Sequence, residues 1–294
     1  MYSIKIENLI IRVKSVLEMP VSKEAEMANK FNEFGFVILE HEPSATPKNN
    51  LLKLSDYFGT IIQHEHSDSQ GIVPISPVDS YPEYVNTTTT DLSLHTDGAF
   101  TITPPKVMAM QCQIAAANGG FTKLIDGKLV YEHLKRTNPV GLLTLFNPDA
   151  ITVKRDNKKA TKPIFEEHHA GLIVRFRADN AAHVSVESKS FAAFKSFENF
   201  VNNPDNQVIF KLAQNQIIIV DNTRVLHGRT AFSKQEYRLL NRLWFDGQSD
   251  IINLKFGISI APKNLSLFAK KYQPSQIDIG SDISQSTQLK FKAT

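Results

Sequence analysis

Residues 92–105 read LSLHTDGAFTITPP. Leu92 and Leu94 alternate with Ser93 and His95, which predicts an extended segment, and residues two apart on a strand share a face. His95 and Asp97 therefore project together. An imidazole and a carboxylate on one strand supply two of the three protein ligands in the two-His, one-carboxylate arrangement, which leaves positions open on an octahedral Fe(II). The third ligand must come from a distant part of the chain. The candidate is His227, in DNTRVLHGRTAF (residues 221–232), just beyond an apolar strand and the turn Asp221-Asn222.

Outward from this stretch, Pro104 and Pro105 introduce a predicted strand over 107–114. Upstream, the pattern predicts a helix over 22–34, with Ser22 as N-cap, Glu24 and Glu26 in the first turn and Gly35 as the stop. A short strand over 36–39 follows, then a helix over 51–58 with Asn50 as N-cap and Gly59 at its end. Residues 59–91 lack a clear period and read as one long loop, of the kind that is functional in compact domains. Downstream, a helix is predicted over 124–136 and strands over 171–177, 215–220 and 238–245. A second helix, over 188–201, carries Phe191, Phe194, Phe197 and Phe200 as a core-facing stripe. Helices come first, then strands with one helical insertion, which argues against the strict alternation of a doubly wound sheet. The expected class is α+β, mainly β, a sandwich or jelly roll with flanking helices. One domain over 1–271 and a Ser- and Gln-rich peripheral segment over 272–294 are expected.

Composition bounds the function. With 41% hydrophobic and 21% charged residues in 294, the chain is an ordinary globular protein. A net charge of +3 does not by itself attract nucleic acid. No apolar run approaches the ~20 residues of a membrane span, and charges interrupt every apolar stretch near the start. The lone Cys112 fits a reduced thiol. A cytoplasmic protein acting on a small molecule, without nucleic-acid or membrane partners, is the expectation.

A second His-x-Asp triplet competes with the first. His64-Glu65-His66-Ser67-Asp68 offers imidazoles and a carboxylate that could hold zinc and its hydroxide for hydrolysis, although Ser69 stands where that pattern wants another His. A third alternative is a jelly-roll binding protein without turnover.

LSLHTDGAFTITPP, followed by DNTRVLHGRTAF and by YRLLNRLWFDG (residues 237–247), resembles the iron(II)/2-oxoglutarate-dependent oxygenases of the taurine dioxygenase family. The resemblance runs from FGFVIL at Phe34 through YFGTIIQHEH and GGFTKLID to Gly247. It implies a double-stranded β-helix (jelly roll) with a helical insertion. It also implies Fe(II) held by His95, Asp97 and His227, with 2-oxoglutarate and O2 as cosubstrates. Arg238 matches the Arg that grips the distal carboxylate of 2-oxoglutarate, and Thr122 the hydroxyl that shares it. Arg242 matches a position that reaches the cosubstrate's other carboxylate or an anionic group of the substrate. His64 matches a substrate-contacting His of the family's namesake, whereas Ser67 and Asp91 depart from that enzyme's Tyr and Asn and point away from taurine. Asp91 is expected to pair with a cationic group of the substrate and Arg242 with its carboxylate, as in a free amino acid or derivative. The implied reaction is hydroxylation of an unactivated C–H coupled to decarboxylation of 2-oxoglutarate to succinate, with desaturation or another oxidative rearrangement as the alternative. Retention of Asp97 favours hydroxylation over halogenation.

Overall fold

A computed structural model describes residues 5–77, 88–168 and 171–260, so the segment 272–294 and the boundary at 271 lie outside the described residues. The chain enters through β1 (Ile10–Val13), α1 (Val21–Phe34), β2 (Phe36–His41), α2 (Pro47–Leu52) and α3 (Ser55–Phe58). Next come β3 (Val73–Ile75), β4 (Leu92–His95), β5 (Val107–Ile114) and β6 (Thr122–Asp126). The insertion holds α4 (Gly127–Thr137), α5 (Pro139–Thr144), β7 (Ile151–Arg155), β8 (Lys158–Lys162), β9 (Phe165–His168), β10 (Gly171–Val174), β11 (His183–Val186) and α6 (Phe191–Asn202). Finally β12 (Val208–Phe210), β13 (Gln216–Asp221), β14 (Val225–Arg229), β15 (Leu239–Phe245) and β16 (Ile258–Ser259) return to the sandwich.

Two sheets carry the architecture. One runs β1-β2-β13-β5-β15-β3, the other β12-β6-β14-β4, and smaller sheets β16-β10-β9 and β11-β7-β8 belong to the insertion and its flank. This is the expected mainly-β jelly roll. Its layering explains why β13, QIIIVD, is apolar on both faces. Ile217 and Ile219 pack with α1 residues Met27 and Phe31 on the helical side, whereas Ile218 and Val220 pack toward Leu124 and Val225 of the smaller sheet. Fully burying each such side chain contributes about 1.5–3 kcal/mol. A third core lies between the smaller sheet and the insertion, where Leu94, Ile125 and Leu226 meet Phe194 and Phe197 of α6. Of the predicted stripe, these two phenylalanines are the buried members, while Phe191 is exposed.

Local chemistry moved several boundaries. Helix α1 starts one residue before Ser22, on Pro20 rather than on a side-chain cap, and ends at Gly35 (φ 76°), whose N–H donates to the Phe31 carbonyl. Asn50 lies inside α2, because Pro47 supplies a helix-ready first turn. Its buried amide oxygen instead accepts from Val16 N–H at 2.8 Å and Ser15 Oγ at 2.9 Å, tying α2 to the chain after β1. The helix expected from residue 124 starts at 127, since Leu124–Asp126 is taken into β6 between β12 and β14. Asp126 caps it, accepting from Lys128 N–H at 2.9 Å. The long loop is interrupted by β3, which pairs with the edge of β15. Residues 78–87 of it lie outside the described residues.

Candidate active site

The site sits between the two large sheets. His227 of β14 is the register partner of His95 on β4, and their ring centroids are 4.6 Å apart. Asp97 follows two residues beyond His95. Its Oδ1 lies 3.5 Å from Nε2 of His95 and 3.7 Å from Nε2 of His227. One ligand atom from each residue falls within 4.8 Å of the others, all three side chains are buried, and this is the one such group among the described residues. Two imidazole nitrogens and a carboxylate oxygen aimed at a common point are the donor set of a non-haem Fe(II) centre. The tautomer of His95 agrees with this: Nδ1–H donates to the Ser93 carbonyl at 2.9 Å, which leaves the lone pair on Nε2. Nδ1 of His227 is buried without a hydrogen-bond partner among the described residues.

Gly228 sets how closely the two strands approach. A Cβ there would stand 2.5 Å from the Leu92 carbonyl oxygen, so only a hydrogen fits between β14 and β4.

Asp97 is held from all sides. Trp244 Nε1–H donates to its Oδ2 at 2.8 Å, and Arg242 Nη1 lies 3.2 Å from the same oxygen. Asn222 fixes the backbone: its Oδ1 accepts Asp97 N–H at 2.7 Å, while its Nδ2 donates to the carbonyls of Asp97 at 3.0 Å and Pro105 at 2.8 Å. Burial alone would raise the Asp97 carboxyl, but Arg242 and the two histidines outweigh it and hold it well below the usual range. Burial lowers His227. It also lowers Arg242, which Asp97 offsets and the neighbouring Arg177 reinforces. Trp244 and Asn222 escaped the sequence reading as site residues. The sequence marks Asn222 only as part of a turn, and the indole sits two positions beyond Arg242 on the same strand face.

Arg238 precedes β15, is 6% exposed, and has no carboxylate partner among the described residues. Burial lowers it to about 10. Gly120, at φ 65°, leaves room for it: a Cβ there would stand 3.3 Å from Arg238 Cδ and Nε. Two residues beyond Gly120, Thr122 is buried at the start of β6, opposite Arg229. Arg229 itself is structural, donating to the carbonyls of Thr88 at 2.9 Å and Thr90 at 2.7 Å.

The competing cluster is not assembled. Asp68 spends its Oδ1 on the N–H groups of Gln70 and Ile72, at 3.0 and 2.9 Å, and closes its own turn, while His66 is exposed. His64 is buried, with its ring centroid 5.3 Å from that of the exposed His66. Its ring stands edge-on against Trp244, centroids 4.9 Å apart, and Nδ1 accepts His66 N–H at 3.1 Å, which places the neutral ring's proton on Nε2. Burial, and then the Arg242 charge, lower it to about 4, so the ring is neutral at physiological pH.

Asp91 is not brought to the cluster. Between His227↔His95 and Arg229↔Leu92, β4 carries one extra residue. That bulge turns Asp91 to the opposite sheet face, where it accepts from Lys123 Nζ at 2.6 Å. Where a substrate cation was expected, Asp91 here faces Lys123 in a partly exposed ion pair.

With the geometry in place, the comparisons agree with it. The model of the taurine catabolism dioxygenase TauD, TfdA family matches residues 11–244, and the chain belongs to that family. Human gamma-butyrobetaine dioxygenase is 30% identical over 158 residues, covering 49% of this chain and 41% of that protein, so the chain spans well under half the length of this relative. Among solved structures, asparagine oxygenase in complex with Fe(II), 2S,3S-3-hydroxyasparagine and succinate superposes with a TM-score of 0.63 at 16% identity, covering 77% of this chain and 80% of that one. The non-heme iron oxygenase OrfP in complex with Fe and alpha-ketoglutaric acid gives 0.62 at 15% identity, covering 81% and 87%. At these identities the structures establish the shared fold. No helix among the described residues is long and apolar enough to cross a membrane.

Proposed function

We propose that the protein is an Fe(II)- and 2-oxoglutarate-dependent dioxygenase that hydroxylates an unactivated C–H of a small molecule, an amino acid or a derivative of one, while 2-oxoglutarate is decarboxylated to succinate. The observation that carries this reading is the pairing of a buried His95-Asp97-His227 donor set with a buried Arg238 that has no anionic partner among the described residues. A guanidinium in that state is costly alone and complementary to a carboxylate. Bound Fe(II), with 2-oxoglutarate and O2, supplies the oxidising chemistry.

The chain's own residues do the positioning. His95, Asp97 and His227 hold the metal. Trp244 and Arg242 hold Oδ2 of Asp97, with Arg242 Nη1 also 3.4 Å from Oδ1, and Oδ1 is the oxygen that lies toward the histidines. Arg238 grips the distal carboxylate of 2-oxoglutarate, with the Thr122 hydroxyl as a second donor, and Arg242 leaves donors for the cosubstrate's other carboxylate. His64, neutral and packed on Trp244, presents Nε2–H at the substrate side. The family match and the gamma-butyrobetaine and asparagine oxygenases among the similar proteins support an amino-acid-derived substrate.

The test is an anaerobic titration of Fe(II) and 2-oxoglutarate into the protein. A metal-to-ligand charge-transfer band that is absent in His95→Ala, followed by succinate release on admitting O2, supports the reading. Absence of the band in the wild-type protein refutes it.

A further inference from the structure

Beyond β10 the chain does not continue as the expected strand through residue 177. It crosses instead to the metal-ligand segment. Thr96, the residue between two of the metal ligands, donates its N–H to the Phe176 carbonyl at 2.9 Å, and Phe176 N–H donates back to Thr96 Oγ1 at 3.1 Å. This stitching sends the Phe176 ring into the insertion core and places Arg177 beside the site. Arg177 Nε–H donates to Asp179 Oδ1 at 2.9 Å, with side chains 4% and 7% exposed. The same oxygen accepts Ala181 N–H at 2.9 Å.

The pair is unfinished on both sides. Neither terminal nitrogen of Arg177 has a hydrogen-bond partner among the described residues, and Asp179 Oδ2 is buried with none. Buried polar groups of folded proteins are paired, and an ion pair taken out of water with open donors and acceptors is costly unless something completes it. Both members lie within electrostatic reach of the site, Asp179 of His95 and Arg177 of Arg242. The completing partner must bring an acceptor to the guanidinium and, immediately beside it, a donor to the carboxylate, and an anion next to a cation satisfies both most strongly. A guanidinium and a carboxylate joined by one hydrogen bond fit two charges separated by a single carbon, and do not fit charges at opposite ends of a long chain.

We propose that Arg177 and Asp179 form the docking pair for an α-amino acid zwitterion, the terminal nitrogens of Arg177 taking the α-carboxylate and Oδ2 of Asp179 accepting from the α-ammonium. This rests on the dioxygenase reading and names its substrate class as a free α-amino acid, with the side chain left to reach the metal. It gives Asp179 the role that the sequence suggested for Asp91.

The experiment is a calorimetric titration of the twenty L-amino acids into the full chain, with and without Fe(II) and 2-oxoglutarate under argon. At least one free amino acid is expected to bind. Its methyl ester, which lacks the carboxylate charge, and its N-acetyl derivative, which lacks the ammonium, are each expected to bind about thirtyfold or more weakly. Arg177→Gln and Asp179→Asn are expected to lose affinity to the same extent, with the affinity for 2-oxoglutarate and the charge-transfer band retained. The ligand derivatives test the idea in the wild-type protein should either variant fail to fold. Ester and N-acetyl forms that bind as tightly as the free amino acid overturn the proposal, as does an unchanged affinity in folded variants or the binding of no free amino acid at all. These failures leave the charge-transfer band in place, whereas failure of the dioxygenase reading removes the band itself.

Discussion

His95-Thr96-Asp97 and His66-Ser67-Asp68 are the same triplet in one chain, and the fold treats them in opposite ways. The first begins at the end of a strand whose neighbour brings His227 into register, and its carboxylate is bonded by side chains alone, with Oδ1 lying 3.5 and 3.7 Å from the two histidines. The second lies in a loop, and its carboxylate is consumed by the N–H groups of its own turn. A His-x-Asp triplet therefore becomes a metal site through what faces it across the sheet, and its own spelling is secondary.

The sharpest way to break that comparison is to exchange the fates of the two clusters. His95→Ala should abolish Fe(II) binding, whereas His66→Ala should leave iron content and succinate formation unchanged, as read by metal analysis and turnover. Nearly as large is the effect expected of Arg238→Met. Affinity for 2-oxoglutarate should fall by two to five kcal/mol, on the order of thirtyfold to several thousandfold, because a charge-assisted contact is lost. The ligand-free variant should also melt higher than wild type, since a buried cation without a partner has been removed. A Met variant that melts lower contradicts that account.

Trp244→Phe removes the donor to Oδ2 of Asp97 and keeps the ring. Loss of such a supporting bond costs about 10- to 100-fold in metal affinity, to be measured by competition with a chelator.

Buried carboxylates also differ among themselves. Asp97 is pulled down by cations, while Asp221, buried in the β13–β14 turn, is pushed up to about 6 by burial that its bonds to Thr223 and Gly257 only partly offset. The folded state thus holds the Asp221 proton more tightly than the unfolded chain does. Its contribution is fully present below about pH 4 and is lost as pH rises through 6, a change on the order of 3 kcal/mol. Relative to Asp221→Asn, wild type should lose stability across that window in denaturant titrations. The smallest effect belongs to Asp91→Asn, whose partly exposed pair with Lys123 is worth under about 1 kcal/mol. Its Michaelis constant should match wild type, and a selective loss of affinity for cationic substrates would restore Asp91 to the pocket.

What was legible in the sequence follows from how far each feature depends on distant contacts. The strand over 107–114 appears with the bounds that its alternation and the preceding prolines require. Strand period paired His95 with Asp97 and the DNTRVLHGRTAF string pointed to His227, although β4 ends at His95 and Asn222 fixes the backbone of Asp97, while the resemblance supplied Arg238 and Arg242. Three features depend on neighbours remote in sequence. Leu124–Asp126 joins the following helix by pattern, yet two flanking strands claim it for the sheet. One extra residue in β4 reverses the face of Asp91, and nothing in the local spelling LSLH marks it. Arg177 reads as the end of a strand and Asp179 as an ordinary loop charge until Thr96 draws their segment inward.

Gly228 carries a consequence for the spacing of the two histidines. The span between the imidazoles of His95 and His227 is fixed by how near two backbones can lie, and that nearness is limited by the Leu92 oxygen. A single methyl group at 228 acts as a wedge, widening the bite of the two rings without altering any ligand. The spacing of the two imidazoles thus rests on a residue that is no part of the donor set.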